Sequence, residues 1–267
     1  MFLDLMYGVG VGLALGMTGG GGVLAVPALV LGLGYSLPQA KPVALIAVGG
    51  SAFLGCIDGF RRGLVRYKAA AVMAILGILC APIGLWVGRV LSTTTLMLVF
   101  CFVLIAISAK MFLQATYSDE SNQAEMASQL NCRLNPETGR FKWTGRCFAS
   151  FSAIGGFSGL LSGMLGLGGG FIIVPGVRHL SDLNMHGTVA TALAVISFIS
   201  AGTVTSFLLA GGIIEPQAWR FIAAAGVGML IGRQLAPKVA GNILQIGFSL
   251  LVCIAAVMLF VRTVLSL

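Results

Sequence analysis

Two stretches of this sequence are written nearly alike: Gly19-Gly20-Gly21-Gly22-Val23-Leu24-Ala25-Val26-Pro27 and Gly168-Gly169-Gly170-Phe171-Ile172-Ile173-Val174-Pro175. Each sits inside a long apolar run, 2–34 and 147–177. As one helix the first run would be a rod of about 50 Å at 1.5 Å per residue, against a hydrocarbon core about 30 Å thick. The glycines break both runs in the middle. Non-helical backbone at membrane depth requires protein or a watery cavity to satisfy its N–H and C=O groups, each of which otherwise costs several kcal/mol. A helix broken at the same motif, twice in one chain, is therefore both a fold signal and a site signal.

The register extends outward from the two motifs. Gly16-Met17 falls on Gly163-Met164, Ser51 on Ser197, Gly88-Arg89 on Gly232-Arg233, and Leu96 and Phe100 on Leu244 and Phe248, all within a shift of 144 to 148 residues. Six further apolar runs, at 43–60, 69–88, 95–113, 188–210, 217–235 and 242–262, each suit one crossing. The expectation is an all-α polytopic membrane protein of two homologous halves, 1–112 and 147–267, with about four helical segments each and a polar linker, 113–146. The first helix of each half is broken by glycine.

Composition agrees. Of 267 residues 58% are hydrophobic and 9% charged, and the 38 glycines follow no collagen period, so a soluble enzyme, a disordered chain and collagen are excluded. The net charge of +8 is spread over short loops rather than gathered on one face; it reads as a membrane orientation signal and not as nucleic-acid binding. With parallel halves Lys and Arg divide 11 to 5 across the membrane. With each broken run a hairpin and the halves inverted they divide 12 to 4, only Lys41, Arg89, Arg220 and Arg262 lying outside. The loop 61–68 carries four basic residues and its counterpart 211–216 none, which opposite sides of the membrane explain. Inverted repeats are therefore expected, with the termini outside and the linker in a reducing cytoplasm where Cys132 and Cys147 need no disulfide. Residues 1–17 contain no Lys or Arg and do not read as a targeting peptide.

Glycine runs let consecutive N–H groups converge on one point, and helix N-termini near Val23 and Phe171 would add their positive dipole ends. Gly20, Gly21, Gly22, Gly168, Gly169 and Gly170 are thus expected to bind an anion, with Pro27 and Pro175 stiffening the outgoing helices. The competing role is close helix packing, which the four-residue spacing of Gly8, Gly12 and Gly16 and of Gly155, Gly159 and Gly163 favours. Ser51, Ser197 and Thr191 are candidate hydroxyl donors to the same anion, although such groups also bond their own i−4 carbonyls. Asp58, Arg89 and Arg233 are candidates for proton coupling or gating; for Asp58 an ion pair with Arg61 or Arg62 is the plainer role. His179, Asp182 and His186 share one loop and do not make a metal site, and no cofactor is implied.

The duplicated glycine cluster with Val-Pro, the four-plus-four runs, and the linker text Asn135-Pro136-Glu137-Thr138-Gly139-Arg140 before Trp143-Thr144 resemble the TauE/SafE family of bacterial membrane proteins. The resemblance covers essentially the whole chain and does not identify a cargo. It implies export of a sulfur-containing anion such as sulfite, thiosulfate or an organosulfonate like sulfoacetate. The halves differ at Lys41-Pro42, where the second reads Gly187-Thr188, so unequal half-sites are expected. The reading is a secondary transporter of a bacterial cytoplasmic membrane, not an enzyme, whose partners are the bilayer and a small sulfur oxyanion, with a homodimer left open. A channel or scaffold is the alternative. An intramembrane serine protease is disfavoured because Gly156-Phe157-Ser158-Gly159 has no histidine at the centre of any later run, and a nucleotide-driven pump because no Lys-Ser/Thr follows either glycine cluster.

Overall fold

A computed structural model describes residues 2–116, 132, 141, 143–181, 183, 185–209, 211, 216, 218–236 and 241–265. The described chain is helical, and each glycine-broken run yields two helices. The first half holds α1 (Phe2–Thr18), α2 (Gly21–Gly32), α3 (Leu37–Arg61), α4 (Tyr67–Val90) and α5 (Thr93–Thr116). The second repeats the order with α6 (Gly145–Leu165), α7 (Gly170–Leu180), α8 (Met185–Leu209), α9 (Ala218–Leu235) and α10 (Gly241–Leu265). Among the described residues α3, α4, α6 and α8 are long and apolar enough to cross a membrane. Their outer surfaces carry side chains that water would not tolerate, such as Trp86 at 66% and Leu209 at 84% exposure.

The two broken runs are hairpins. The backbone of Gly21 lies against Ala14 and Leu15, and Gly32 against the Tyr7 ring, so α2 returns antiparallel along α1. In the second half Ser158 Oγ donates to Gly169 O at 3.1 Å and Gly176 packs on Ile154, so α7 returns along α6. Left-handed glycines make the turns: Gly19, Gly166, Gly168 and Gly169 have φ between 67° and 79°, a region open to glycine without steric cost. Gly166 caps α6, its N–H on Ser162 O at 2.8 Å.

Between the halves the packing is reciprocal: α1 lies on α9, and its counterpart α6 lies on α4. Both seams are built from glycine. Gly8, Gly12 and Gly16 meet Phe221, Ala225 and Met229 backbone in parallel register, while Gly155, Gly159 and Gly163 meet Met73, Gly77 and Ala81 in the same way. Small residues allow this approach of backbones, which is where association energy arises when lipid surrounds the helices. The counterparts α3 and α8 cross antiparallel: Gly49 faces Ser200, Gly55 faces Leu193 and Gly59 faces Ala190.

One expectation is corrected. Cys132 and Cys147 are joined by a disulfide, Cα–Cα 5.0 Å. The hairpin is the physical reason. It brings the end of α7 back to the start of α6, and Cys132, whose N–H donates to Leu180 O at 3.1 Å, lies within reach of Cys147 in the first turn.

Candidate functional site

The two glycine turns meet each other. A Cβ on Gly20 would lie 3.6 Å from Phe171 Cα, one on Gly22 3.3 Å from Leu167 O, and one on Gly170 2.7 Å from Gly19 O. Val48 touches both turns, since its Cγ1 lies 2.7 Å from the Cβ position of Gly22 and 2.9 Å from that of Gly168. Val48 and its neighbour Gly49, which faces Ser200, stand at the middle of α3 and α8, so the junction lies halfway along the longest helices. The helices α2 and α7 both begin there. Their first-turn amides, at Gly21, Gly22, Gly170 and Phe171, have no carbonyl of their own helix to bond. Two positive helix ends therefore meet at one buried point.

A buried hydroxyl stands at this point. Ser200 is 1% exposed, its Oγ is 3.3 Å from the Cβ position of Gly168, and it has no hydrogen-bond partner among the described residues. Ser51 Oγ and Ser162 Oγ are likewise buried and unpartnered. Leaving a buried hydroxyl unsatisfied costs roughly 1–3 kcal/mol, and the unpartnered hydroxyl of Ser200 beside Gly168, where two helix N-termini meet, is a donor waiting for an acceptor.

The residues expected from sequence fall into separate roles. Gly20 through Gly22 and Gly168 through Gly170 are all at the junction, yet Gly21 owes its missing side chain to the α1 backbone and Gly169 owes its own to Ser158. Ser51 lies level with Ser197 where α3 crosses α8. Thr191 lies toward the far end of α8 and is already engaged, donating to Gly187 O at 2.7 Å and accepting from the Arg66 N–H at 3.1 Å. Pro27 and Pro175 line two equivalent apolar grooves of about 440 and 500 Å³. Asp58 is clamped by Arg62 Nε at 2.8 Å and Arg233 Nε at 2.9 Å, joining the ends of α3 and α9. Arg89 occupies the last turn of α4. The side chain of His179 and all of Asp182 lie outside the described residues, as does most of the linker. Ser200 and Ser162 were missed by the sequence reading, although Ser200 stands three residues from Ser197 and Ser162 adjoins Gly163.

A model of the sulfite exporter TauE/SafE family matches residues 5–259. The chain belongs to the TauE/SafE family. A probable membrane transporter protein of Xylella fastidiosa is 25% identical over 261 residues, covering 96% of this chain and 94% of its own. A probable membrane transporter of Methanocaldococcus jannaschii is 26% identical over 82% of this chain and 81% of its own. MamO of Paramagnetospirillum magneticum, also a probable membrane transporter, is 26% identical over 87% of this chain and 40% of its own length. No solved structure is a significant match. As a TauE/SafE protein the chain is a multi-pass membrane transporter, and the paired hairpins are where its helices break.

Proposed function

We propose that this TauE/SafE protein exports a small sulfur-containing anion, of the class of sulfite, thiosulfate or sulfoacetate, across a bacterial cytoplasmic membrane by alternating access. The observation that carries the reading is the junction: two helix N-termini and the unpartnered hydroxyl of Ser200 beside Gly168, at the middle of the helix pair. Such a site supplies hydrogen-bond donors to an oxyanion without a buried counter-charge. The halves 1–112 and 147–267 are inverted repeats in this reading. A two-fold axis along the helices would leave equivalent helices parallel, so the antiparallel crossing of α3 and α8 supports an axis in the membrane plane. The direct contact of the two glycine turns favours a gated carrier over an open channel.

With twelve of the sixteen Lys and Arg on it, the face bearing loop 61–68 and the linker is cytoplasmic in this reading. The Cys132–Cys147 bond on that face is then of the reversible kind found where thiols are kept reduced. An inside-negative potential contributes about 2.3 kcal/mol per charge per 100 mV toward expelling a monovalent anion. Efflux from proteoliposomes loaded with sulfite, thiosulfate, sulfoacetate or chloride tests the proposal. Selective, saturable loss of one sulfur anion is expected; equal loss of chloride, or none of any, would overturn it.

A further inference from the structure

We propose that Lys41 and Arg89 form an anion-collecting vestibule, open on the face opposite the linker and leading to the second glycine turn. The inference rests on the transporter reading for its cargo, but its geometry is separate. A cavity of about 330 Å³ opens between the start of α3 and the end of α4, lined among others by Lys41, Leu45, Gly88, Arg89, Thr93 and Gly163. Its lining contains two cations and no carboxylate. Neither the Lys41 nor the Arg89 side chain has a hydrogen bond or ion pair among the described residues. A half-buried ammonium without a counter-ion is unfavourable in a low-dielectric setting, and a chain only 9% charged has placed one here.

The plainer role for Lys41 is to complement the C-terminal dipole of α6, because a Cβ on Gly166 would lie 2.9 Å from Lys41 Cα. That role would set the ammonium on the terminal carbonyls, and no such bond is made. Instead Lys41 Nζ lies 3.6 Å from the Cβ position of Gly88, turned toward α4 next to Arg89. Lys41, Leu45 and Gly49 then follow at four-residue spacing on one face of α3. Gly49 meets Ser200, whose unpartnered hydroxyl adjoins Gly168. A line of positions thus runs from the two cations to the junction.

The equivalent place on the opposite face is built differently. Arg233 stands where Arg89 does, but Asp58 neutralises it at 2.9 Å, and Gly187 replaces Lys41. Arg66, whose Nε is buried without a partner, is fastened there through its backbone N–H, which donates to Thr191 Oγ1. Among the described residues the Lys41–Arg89 pair lines its cavity without an acid, and its ligand is a small oxyanion arriving at or leaving that face.

The test reads local potential rather than transport. In Thr93→Cys protein, labelling by an anionic sulfonatoethyl thiosulfonate and by its cationic trimethylammonium analogue is compared, each normalised to free cysteine and corrected for the native thiols. The ratio should favour the anionic reagent and fall on the order of tenfold in Lys41→Gln/Arg89→Gln protein. Lys41→Arg, which keeps the charge, should retain it. Sulfate at low ionic strength should slow the anionic reagent only where both cations remain. An unchanged ratio in a folded double variant overturns the vestibule, even if sulfite efflux is intact. A lost ratio without any sulfur-anion efflux keeps the vestibule and removes the transport reading instead.

Discussion

The N-terminal and C-terminal hairpins hold equivalent places but are made differently. In the first, the returning helix α2 is irregular, a 3₁₀ turn over Gly21–Leu24 followed by a π turn over Ala28–Gly32. In the second, α7 is a regular α-helix entered through left-handed Gly169 and tied to α6 by the Ser158 hydroxyl and by Cys132 at its far end. The charges differ in the same sense: Arg233 is paired with Asp58, whereas Arg89 has Lys41 beside its cavity and no acid. The halves share glycine and backbone, together with the pairs Ser51–Ser197 and Arg89–Arg233. They differ in what surrounds those groups, Asp58 on Arg233 but Lys41 and no acid beside Arg89, so the duplicated part makes the scaffold and its turns and the unequal part sets the charge.

The shared part should be the hardest to alter. Gly12→Leu and Gly159→Leu each push a side chain into facing backbone, at more than the roughly 1–3 kcal/mol typical of overpacking. Both are expected to abolish folded, monodisperse protein on size exclusion, whereas Gly10→Leu, which meets nothing within 4 Å, is expected to behave as wild type. Loss of fold from only one of the two seam variants would break the equivalence of the seams.

Charge comes next. Asp58→Asn leaves Arg233, at 11% side-chain exposure, without its acid, and is expected to cost about 1–3 kcal/mol in thermal unfolding. Arg89→Gln removes a residue without a partner and should stay within about 0.5 kcal/mol. Equal losses would mean that the two arginines are equivalent after all.

Smaller effects separate the hydroxyls. Ser158→Ala deletes the bond to Gly169 O and should lower stability by about 1 kcal/mol. Ser200→Ala deletes an unsatisfied group, so stability should hold while KM for the transported anion rises about fivefold, the loss of one hydrogen bond worth about 1 kcal/mol. An unchanged KM would remove Ser200 from the site. Least disturbing are single thiols for orientation. Arg61→Cys should react with an impermeant maleimide only from the cytoplasmic side and Thr93→Cys only from the other; the reverse pattern would put the Cys132–Cys147 bond in an oxidising compartment.

Much of this was legible before any coordinates. Glycine spacing announced the seams, because four-residue periodicity places those residues on one helix face whatever they pack against. The glycine clusters announced the breaks. One partner of Asp58, Arg62 at i+4, was legible; the other was not, since Arg233 lies 175 positions away and only the packing of α9 on α3 brings it near. The disulfide was missed for a related reason: Cys132 and Cys147 are 15 residues apart, but what aligns them is the return of α7, a long-range fact.

Sequence by itself determined the class of this protein, its two-fold repetition, the positions of its breaks and its family, because apolar length, glycine and register are local properties that survive any arrangement of the helices. Tertiary structure alone decided that the two glycine turns touch, which backbone each seam glycine meets, and that Arg233 is the second cation on Asp58. Those outcomes depend on contacts between residues far apart in sequence, and a missing side chain does not say what fills its place.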